Sequence, residues 1–161
     1  MTEKTVESFY KRGYDYNARA PYFAHREDLT EDQWRKLTES ETFCMLPWMH
    51  LHAFPDGRAY PCCLSDYWHP VGDLRKHTME EVWNQDKYKT MRVNMLQDKP
   101  CVECTKCYEQ EQHGAFSMRN DANRNYGHHI GEVDATITIC IYKRLWAAVG
   151  SPQLVPPTPT V

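Results

Sequence analysis

The arrangement of its cysteines constrains this chain more than any other feature of the sequence. Six of the seven cysteines lie between residues 44 and 107, in one group that ends at Cys63 and a second group that follows Pro100. Residues 1–13 lack the apolar core of a secretory signal peptide, so we expect a reducing, cytoplasmic location. Thiols in such a location bind metals more often than they form disulfides. The pattern therefore predicts a metal site.

The segment between Cys44 and Cys62 has the pattern of a β-hairpin. Residues 48–54 predict one strand, a Pro-Asp-Gly sequence at 55–57 predicts the turn, and residues 58–62 predict the returning strand. Such a hairpin brings Cys62 back beside Cys44. The two thiols at its base are therefore candidates for one half of a shared metal site.

The second group of cysteines supplies the other half. Pro100 ends the helical pattern before it, and Cys101-x2-Cys104 can present two thiolates from one tight turn. Four converging thiolates hold a [4Fe–4S] cluster, and they also bind zinc tightly. Spacing alone therefore indicates a metal site and leaves both metals open.

The rest of the chain predicts short helices, which together with the hairpin give an α+β class. Capping boxes start helices at Thr30, ending near Ser40, and at Thr78, where residues 79–96 predict one broken helix or two short ones. The other predicted elements are a helix near residues 6–10, a helix over 108–119, a loop over 120–134, a strand over 135–142 and a disordered Pro-rich end.

Composition excludes several classes of protein. With 19 basic and 22 acidic residues the net charge is -3, which does not favour binding to nucleic acid or to an anionic membrane. No apolar run approaches the length of a membrane span. Only 41% of the residues are hydrophobic, so a bound metal would help to stabilise a small core.

The cysteine spacing and its surroundings resemble a known family. Cys44, twelve residues, Gly57, four residues and Cys62 match the C-x9–15-G-x4-C pattern of the SPASM/twitch auxiliary domains of radical SAM enzymes. The flanking sequences match as well, and the resemblance covers about residues 43–120. These flanking sequences are Leu46-Pro47-Trp48, Pro55-Asp56-Gly57, Pro61-Cys62-Cys63, Gly72-Asp73-Leu74 and Glu81-Val82-Trp83-Asn84.

The second group departs from the full SPASM pattern, which continues C-x2-C-x5-C-x3-C before a further cysteine. Here Cys104 is followed by Cys107 and then only by Cys140, which is similar to the shorter twitch form with a single cluster. The resemblance implies that this cluster is [4Fe–4S]. The implied ligands are Cys44, Cys62, Cys101 and Cys104, with Cys63 and Cys107 as alternates.

The resemblance also implies a division of the chain and a role. We expect a helical extension at 1–40, a twitch-like cluster domain at 41–120, and a C-terminal extension at 121–161 that is partly disordered or begins a following domain. Because the chain has no C-x3-C-x2-C motif, we do not expect it to cleave S-adenosylmethionine alone. It would serve a radical SAM barrel, in cis or in trans, by transferring electrons or by positioning a peptide or small-molecule substrate.

Two other functions fit the same thiols. One is a structural zinc module that serves protein interaction. The other is a thiol redox site at Cys101 and Cys104, which is disfavoured because thioredoxin-like C-x-x-C motifs belong near a βαβ pattern.

Several further side chains have an ordinary structural role as their first expectation. We expect Cys63 and Cys140 to be packed thiols, His50 and His52 to be strand residues, and the helix glutamates, Glu111 among them, to be solvated. Arg92 and Arg119 are left open between offsetting the charge of a thiolate-bound cluster and being exposed. The tryptophans expected in the core are Trp48, Trp68 and Trp83.

Overall fold

The computed structural model describes residues 26–134, and the expected α+β class is confirmed in them. The helices are α1 (Glu31–Thr38), α2 (Leu46–Met49), α3 (Met79–Asn84), α4 (Asp86–Leu96), α5 (Thr105–Gln112) and α6 (Met118–Tyr126). Short 3-10 turns cover Arg26–Asp28, Val102–Cys104 and Gly127–Glu132. The strands are β1 (His52–Ala53), β2 (Arg58–Tyr60) and β3 (Gly72–Asp73).

The three strands form one antiparallel sheet in the order β1-β2-β3. His52 pairs with Tyr60 across the predicted hairpin, which is confirmed. Its turn depends on Gly57, whose φ of 83° lies in the left-handed region that other residues rarely adopt. The hairpin thereby returns the chain from α2 to Cys62, as the sequence predicts.

The prediction of a strand over residues 48–54 is wrong in its first half. Leu46–Met49 forms one helical turn instead, with Pro47 at its start, where the fixed φ of proline suits a helix. This turn buries both Trp48 and Met49, whereas a strand would point neighbouring side chains to opposite faces. Burial of two adjacent large side chains therefore outweighs the local strand pattern.

Both predicted capping boxes are present. Thr30 and Thr78 each accept a hydrogen bond from a main-chain N–H in the first turn, and the N3 side chain bonds back to the cap. Between residues 79 and 96 the chain forms two helices rather than one, because Gln85 adopts an extended conformation between α3 and α4. This resolves the alternative that the sequence left open.

The region after Cys107 differs from the prediction. The helix expected over 108–119 ends at Gln112, and Gly114 adopts a φ of 75° beyond it. The loop expected over 120–134 is wrong, because α6 and a 3-10 turn occupy that range. The polar sequence of α6 conceals its burial, since its buried side chains include Arg119 and Asn123, which hydrogen-bond to main-chain groups.

The core lies where α2 packs against α4 and α6. Trp48 and Trp83 are buried there as predicted, whereas the prediction for Trp68 is wrong, because it is 79% exposed. The largest fully buried apolar and aromatic side chains are Trp48, Tyr60, Tyr88, Phe43, Met45, Met95, Val71 and Val82. No helix within residues 26–134 is long and apolar enough to cross a membrane.

Four sequence predictions fall outside the described residues. They are the helix near residues 6–10, the strand over 135–142, the Pro-rich end and the packing of Cys140.

Candidate metal centre

The fold brings cysteines from both groups into its interior. Cys44 directly precedes the α2 turn, and Cys62 follows β2 at the end of the hairpin; both are buried. Cys101 and Cys107 are also buried, and Cys104 is half-buried at the start of α5. Cys63 is exposed, so the expectation that it is a packed thiol is wrong. Its neighbour Cys62 is buried, and the two lie in the bend and turn that follow β2.

Four of these thiols interact electrostatically in every pairwise combination. Burial raises the pKa of Cys104 well above its ordinary value, and the charges of Cys44, Cys62 and Cys107 raise it further. Burial likewise raises the pKa of Cys44, to which the charges of Cys62 and Cys107 add. The charge of Cys62 also contributes to the raised pKa of Cys107, after burial. Thiols from both groups therefore form one cluster, which we call the four-thiol group (Cys44, Cys62, Cys104 and Cys107).

Cys101 lies at the edge of this arrangement. Its Sγ donates towards the main-chain oxygens of Met91 and Lys99, at 3.6 and 3.8 Å. Burial, followed by the negative charge of Glu103, raises the pKa of Cys101 to about 12. Of the four-thiol group, Cys104 is the member whose pKa the charge of Cys101 raises. The Cys101 thiol thus faces the end of α4 rather than the hairpin.

Hydrogen-bond donors surround the sulfurs of the four-thiol group. The main-chain N–H of Leu46, at the start of α2, opposes the effect of burial on the pKa of Cys44. The Ser65 hydroxyl lies 3.4 Å from the sulfur of Cys62. Burial raises the pKa of Cys107, and the main-chain N–H of Arg119, at the start of α6, opposes this rise. Donors in these positions stabilise thiolates and metal-bound sulfur.

Main-chain hydrogen bonds hold the two cysteine groups together. The N–H of Asp66, in the loop after the hairpin, donates to the carbonyl of Glu103 at 2.9 Å, inside the C-x2-C turn. The Cys101 N–H donates to the Tyr108 hydroxyl at 3.2 Å, and that hydroxyl donates to the Thr42 carbonyl at 3.5 Å. The thiols are therefore supported by bonds between segments that lie far apart in sequence.

Residues 44–108 match the family model of SPASM, an iron-sulfur cluster-binding domain. The match begins at the first thiol of the four-thiol group and ends one residue after the last, so it confirms the SPASM resemblance read from the sequence. No curated protein and no solved structure matches the chain.

The donor chemistry of residues 44–108, which we call the SPASM segment, fits an iron–sulfur cluster. The four-thiol group offers three buried sulfur donors and one half-buried one, with N–H or O–H groups directed at three of the four, as thiolate ligation of such a cluster requires. Within residues 26–134, no three His, Cys, Asp or Glu side chains lie close enough together to hold a single metal ion.

Two buried arginines are relevant to this segment, Arg92 inside it and Arg119 beyond its end. The Arg92 guanidinium stacks on the rings of Trp83 and Tyr88 and donates to the Pro47 carbonyl at 3.0 Å, which is a structural role in the core. Arg119 is 2% exposed, and its charge lowers the pKa of Cys44 against the larger effect of burial. Of the two, Arg119 is therefore the one that acts on a thiol.

Of the other side chains for which the sequence predicts a structural role, some agree with the prediction and some do not. Glu111 is not a solvated helix residue as expected, because it pairs with buried Arg119. His52 packs edge to face on Phe54, in agreement with the structural expectation, whereas His50 ends α2 and lies before the strand. The sequence pointed to Arg119 as a charge near the thiols only through its position close to the SPASM segment. The burial of Arg119 depends on α6, a helix that the sequence did not predict.

Proposed function

We propose that the SPASM segment binds one [4Fe–4S] cluster through four cysteine thiolates. The observation that carries this proposal is the pairwise electrostatic interaction of buried thiols from the hairpin and from the second cysteine group. A cluster requires several thiols to converge in the protein interior, and thiols from both cysteine groups do so here. The family description, an iron-sulfur cluster-binding domain, supports the same chemistry.

We assign the four-thiol group as the ligands. In this assignment Cys107 replaces Cys101, which the family resemblance implies as a ligand. The Cys101 sulfur faces two main-chain oxygens, which accept a thiol proton but repel a thiolate. The Cys107 sulfur instead lies beside the main-chain N–H of Arg119, a donor that opposes the effect of burial on its pKa. Donors favour a metal-bound thiolate, so Cys104-x2-Cys107 is the better pair.

Anaerobic reconstitution of the full chain with ferrous iron and sulfide tests whether the chain binds this cluster. Iron, acid-labile sulfide and zinc are measured together with the absorption spectrum. We expect four irons and four sulfides per chain, the stoichiometry of one [4Fe–4S] cube. A colourless protein that holds one zinc and no sulfide would instead favour the structural zinc module.

Single Cys→Ser variants identify the ligands. We expect Cys107→Ser to lose most of its cluster, as Cys44→Ser, Cys62→Ser and Cys104→Ser do, because a missing thiolate leaves an iron open to water. Cys101→Ser is the matched control, since its C-x2-C spacing to Cys104 is the same and it should keep its iron. Retention in Cys107→Ser together with loss in Cys101→Ser would restore Cys101 as the ligand.

We further propose that the cluster transfers electrons for a radical SAM barrel, in cis or in trans, rather than positioning its peptide or small-molecule substrate. Four cysteine ligands leave no iron free to bind a substrate group, which is the physical basis of this choice. Cyanide is a suitable probe of open iron. We expect the EPR spectrum of the dithionite-reduced cluster to be unchanged by cyanide, whereas a new signal would favour substrate positioning.

A further inference from the structure

A buried ion pair lies beside the proposed cluster ligands. Arg119 donates from Nε to Glu111 Oε1 at 2.9 Å, and its Nη2 also contacts the Glu111 carboxylate. The guanidinium is almost fully buried, and the carboxylate is mostly buried. Charges in such a position are screened little by solvent, so they act strongly on neighbouring groups.

Arg119 contacts the segment that presents the first ligand. Its Nη1 donates to the carbonyls of Ser40 and Phe43, at 2.7 and 2.9 Å, and Phe43 directly precedes Cys44. The main chain of the same residue lies beside Cys107, at the start of α6. One residue therefore joins ligands from the two cysteine groups and places a positive charge close to the first.

Glu111 opposes that charge, because its carboxylate lies against the guanidinium. Its carboxylate accepts from Arg119 and from the Ser117 hydroxyl, which caps α6. Burial disfavours the charged guanidinium, yet hydrogen bonding to Glu111 keeps the pKa of Arg119 above its ordinary value. The pair therefore joins groups of opposite charge, and the positive one lies towards Cys44.

We propose that the Arg119–Glu111 pair sets the reduction potential of the cluster, with Arg119 raising it and Glu111 lowering it. This inference rests on the proposed function. Reduction adds one electron from an external reductant to the cluster, with no bond made and no proton transferred. The reduced cluster is one unit more negative, so a nearby positive charge stabilises it and a nearby negative charge destabilises it. Arg119 and Glu111 are positioning residues, because they act on the cluster through its ligands and through space.

Potentiometric titration of the reconstituted full chain, followed by EPR, tests the direction in which each residue shifts the reduction potential. At a fixed potential we expect Arg119→Gln to lower the ratio of reduced to oxidised cluster about tenfold, which corresponds to about 59 mV for one electron. We expect Glu111→Gln to raise the same ratio. Opposite shifts from the two halves of one ion pair identify an electrostatic effect, since a purely structural defect would not reverse sign.

Two further variants keep the test decisive if Arg119→Gln does not fold. Arg119→Lys retains the charge and should keep the ratio closer to wild type than any neutral variant. Arg124→Gln is the matched control, because Arg124 is also buried on α6 and paired with a carboxylate, that of Asp121. We expect no shift from it.

Shifts of the same sign in Arg119→Gln and Glu111→Gln would overturn the inference. An unchanged potential in Glu111→Gln with full cluster content would overturn it as well, while leaving the proposed function intact. A wild-type chain that assembles no cluster would overturn both.

Discussion

Replacement of Asn123 by Ala offers a direct test of how the main chain on both sides of Cys44 is held. Asn123 is 2% exposed, and its Oδ1 accepts from the Met45 N–H at 2.9 Å. Its Nδ2 donates to the carbonyls of Leu37 and Phe43, at 3.2 and 3.0 Å. A single side chain of α6 thus fixes the main chain on both sides of Cys44.

The expected loss of stability follows from the groups left unpaired. In Asn123→Ala the buried Met45 N–H and the Leu37 carbonyl lose this partner, whereas the Phe43 carbonyl keeps Arg119. An unpaired buried polar group costs about 1–3 kcal/mol. We therefore expect the free energy of unfolding to fall by about 2–6 kcal/mol, a large share of the roughly 5–15 kcal/mol typical of a domain.

Urea denaturation of the reduced, metal-free full chain, followed by circular dichroism, measures this loss. Asn125→Ala is the control, since it lies on the same helix and makes a partly buried bond to Asp121. Both variants gain the same helix propensity, so their difference isolates the contacts near Cys44. Free energies of unfolding that agree within about 0.5 kcal/mol for the two variants would refute the reasoning.

Three further predictions concern packing, the buried cation and pH. Gly72→Ala should destabilise the chain by about 1–3 kcal/mol, because its Cβ would lie 2.4 Å from a methyl of Val82; Val82→Ala in the same chain should recover part of this loss in urea denaturation. Arg92→Met should cost about 2–4 kcal/mol, since two buried main-chain carbonyls lose their donor, and thermal denaturation checks it. Burial raises the pKa of Asp98, but hydrogen bonds led by that from Lys36 lower it overall. Its stabilisation is therefore present above about pH 3.9, the unfolded value, and is lost as pH falls through the lower folded value. The stability difference between wild type and Asp98→Asn should shrink over that interval in acid titrations monitored by fluorescence.

Local chemistry explains the parts of the fold that the sequence predicted. The capping boxes at Thr30 and Thr78 and the turn at Gly57 involve residues three or four positions apart, so their interactions can be read without the fold. The α6 helix was missed because its capping box uses Asn120 in place of the usual Glu or Gln. Its buried positions also carry polar side chains, which conceal an apolar face.

The sequence by itself predicted a metal site of thiols, since two cysteine groups flank a hairpin and a helical segment. It did not determine which thiols meet. Cys101-x2-Cys104 and Cys104-x2-Cys107 have the same spacing, so no local pattern separates them. Only the tertiary structure turns the Cys101 sulfur towards the Met91 carbonyl of α4 and places the Cys107 sulfur beside the Arg119 N–H of α6. The reason is physical: a thiolate is stabilised by donors, and donors from distant segments reach it only once the chain has folded.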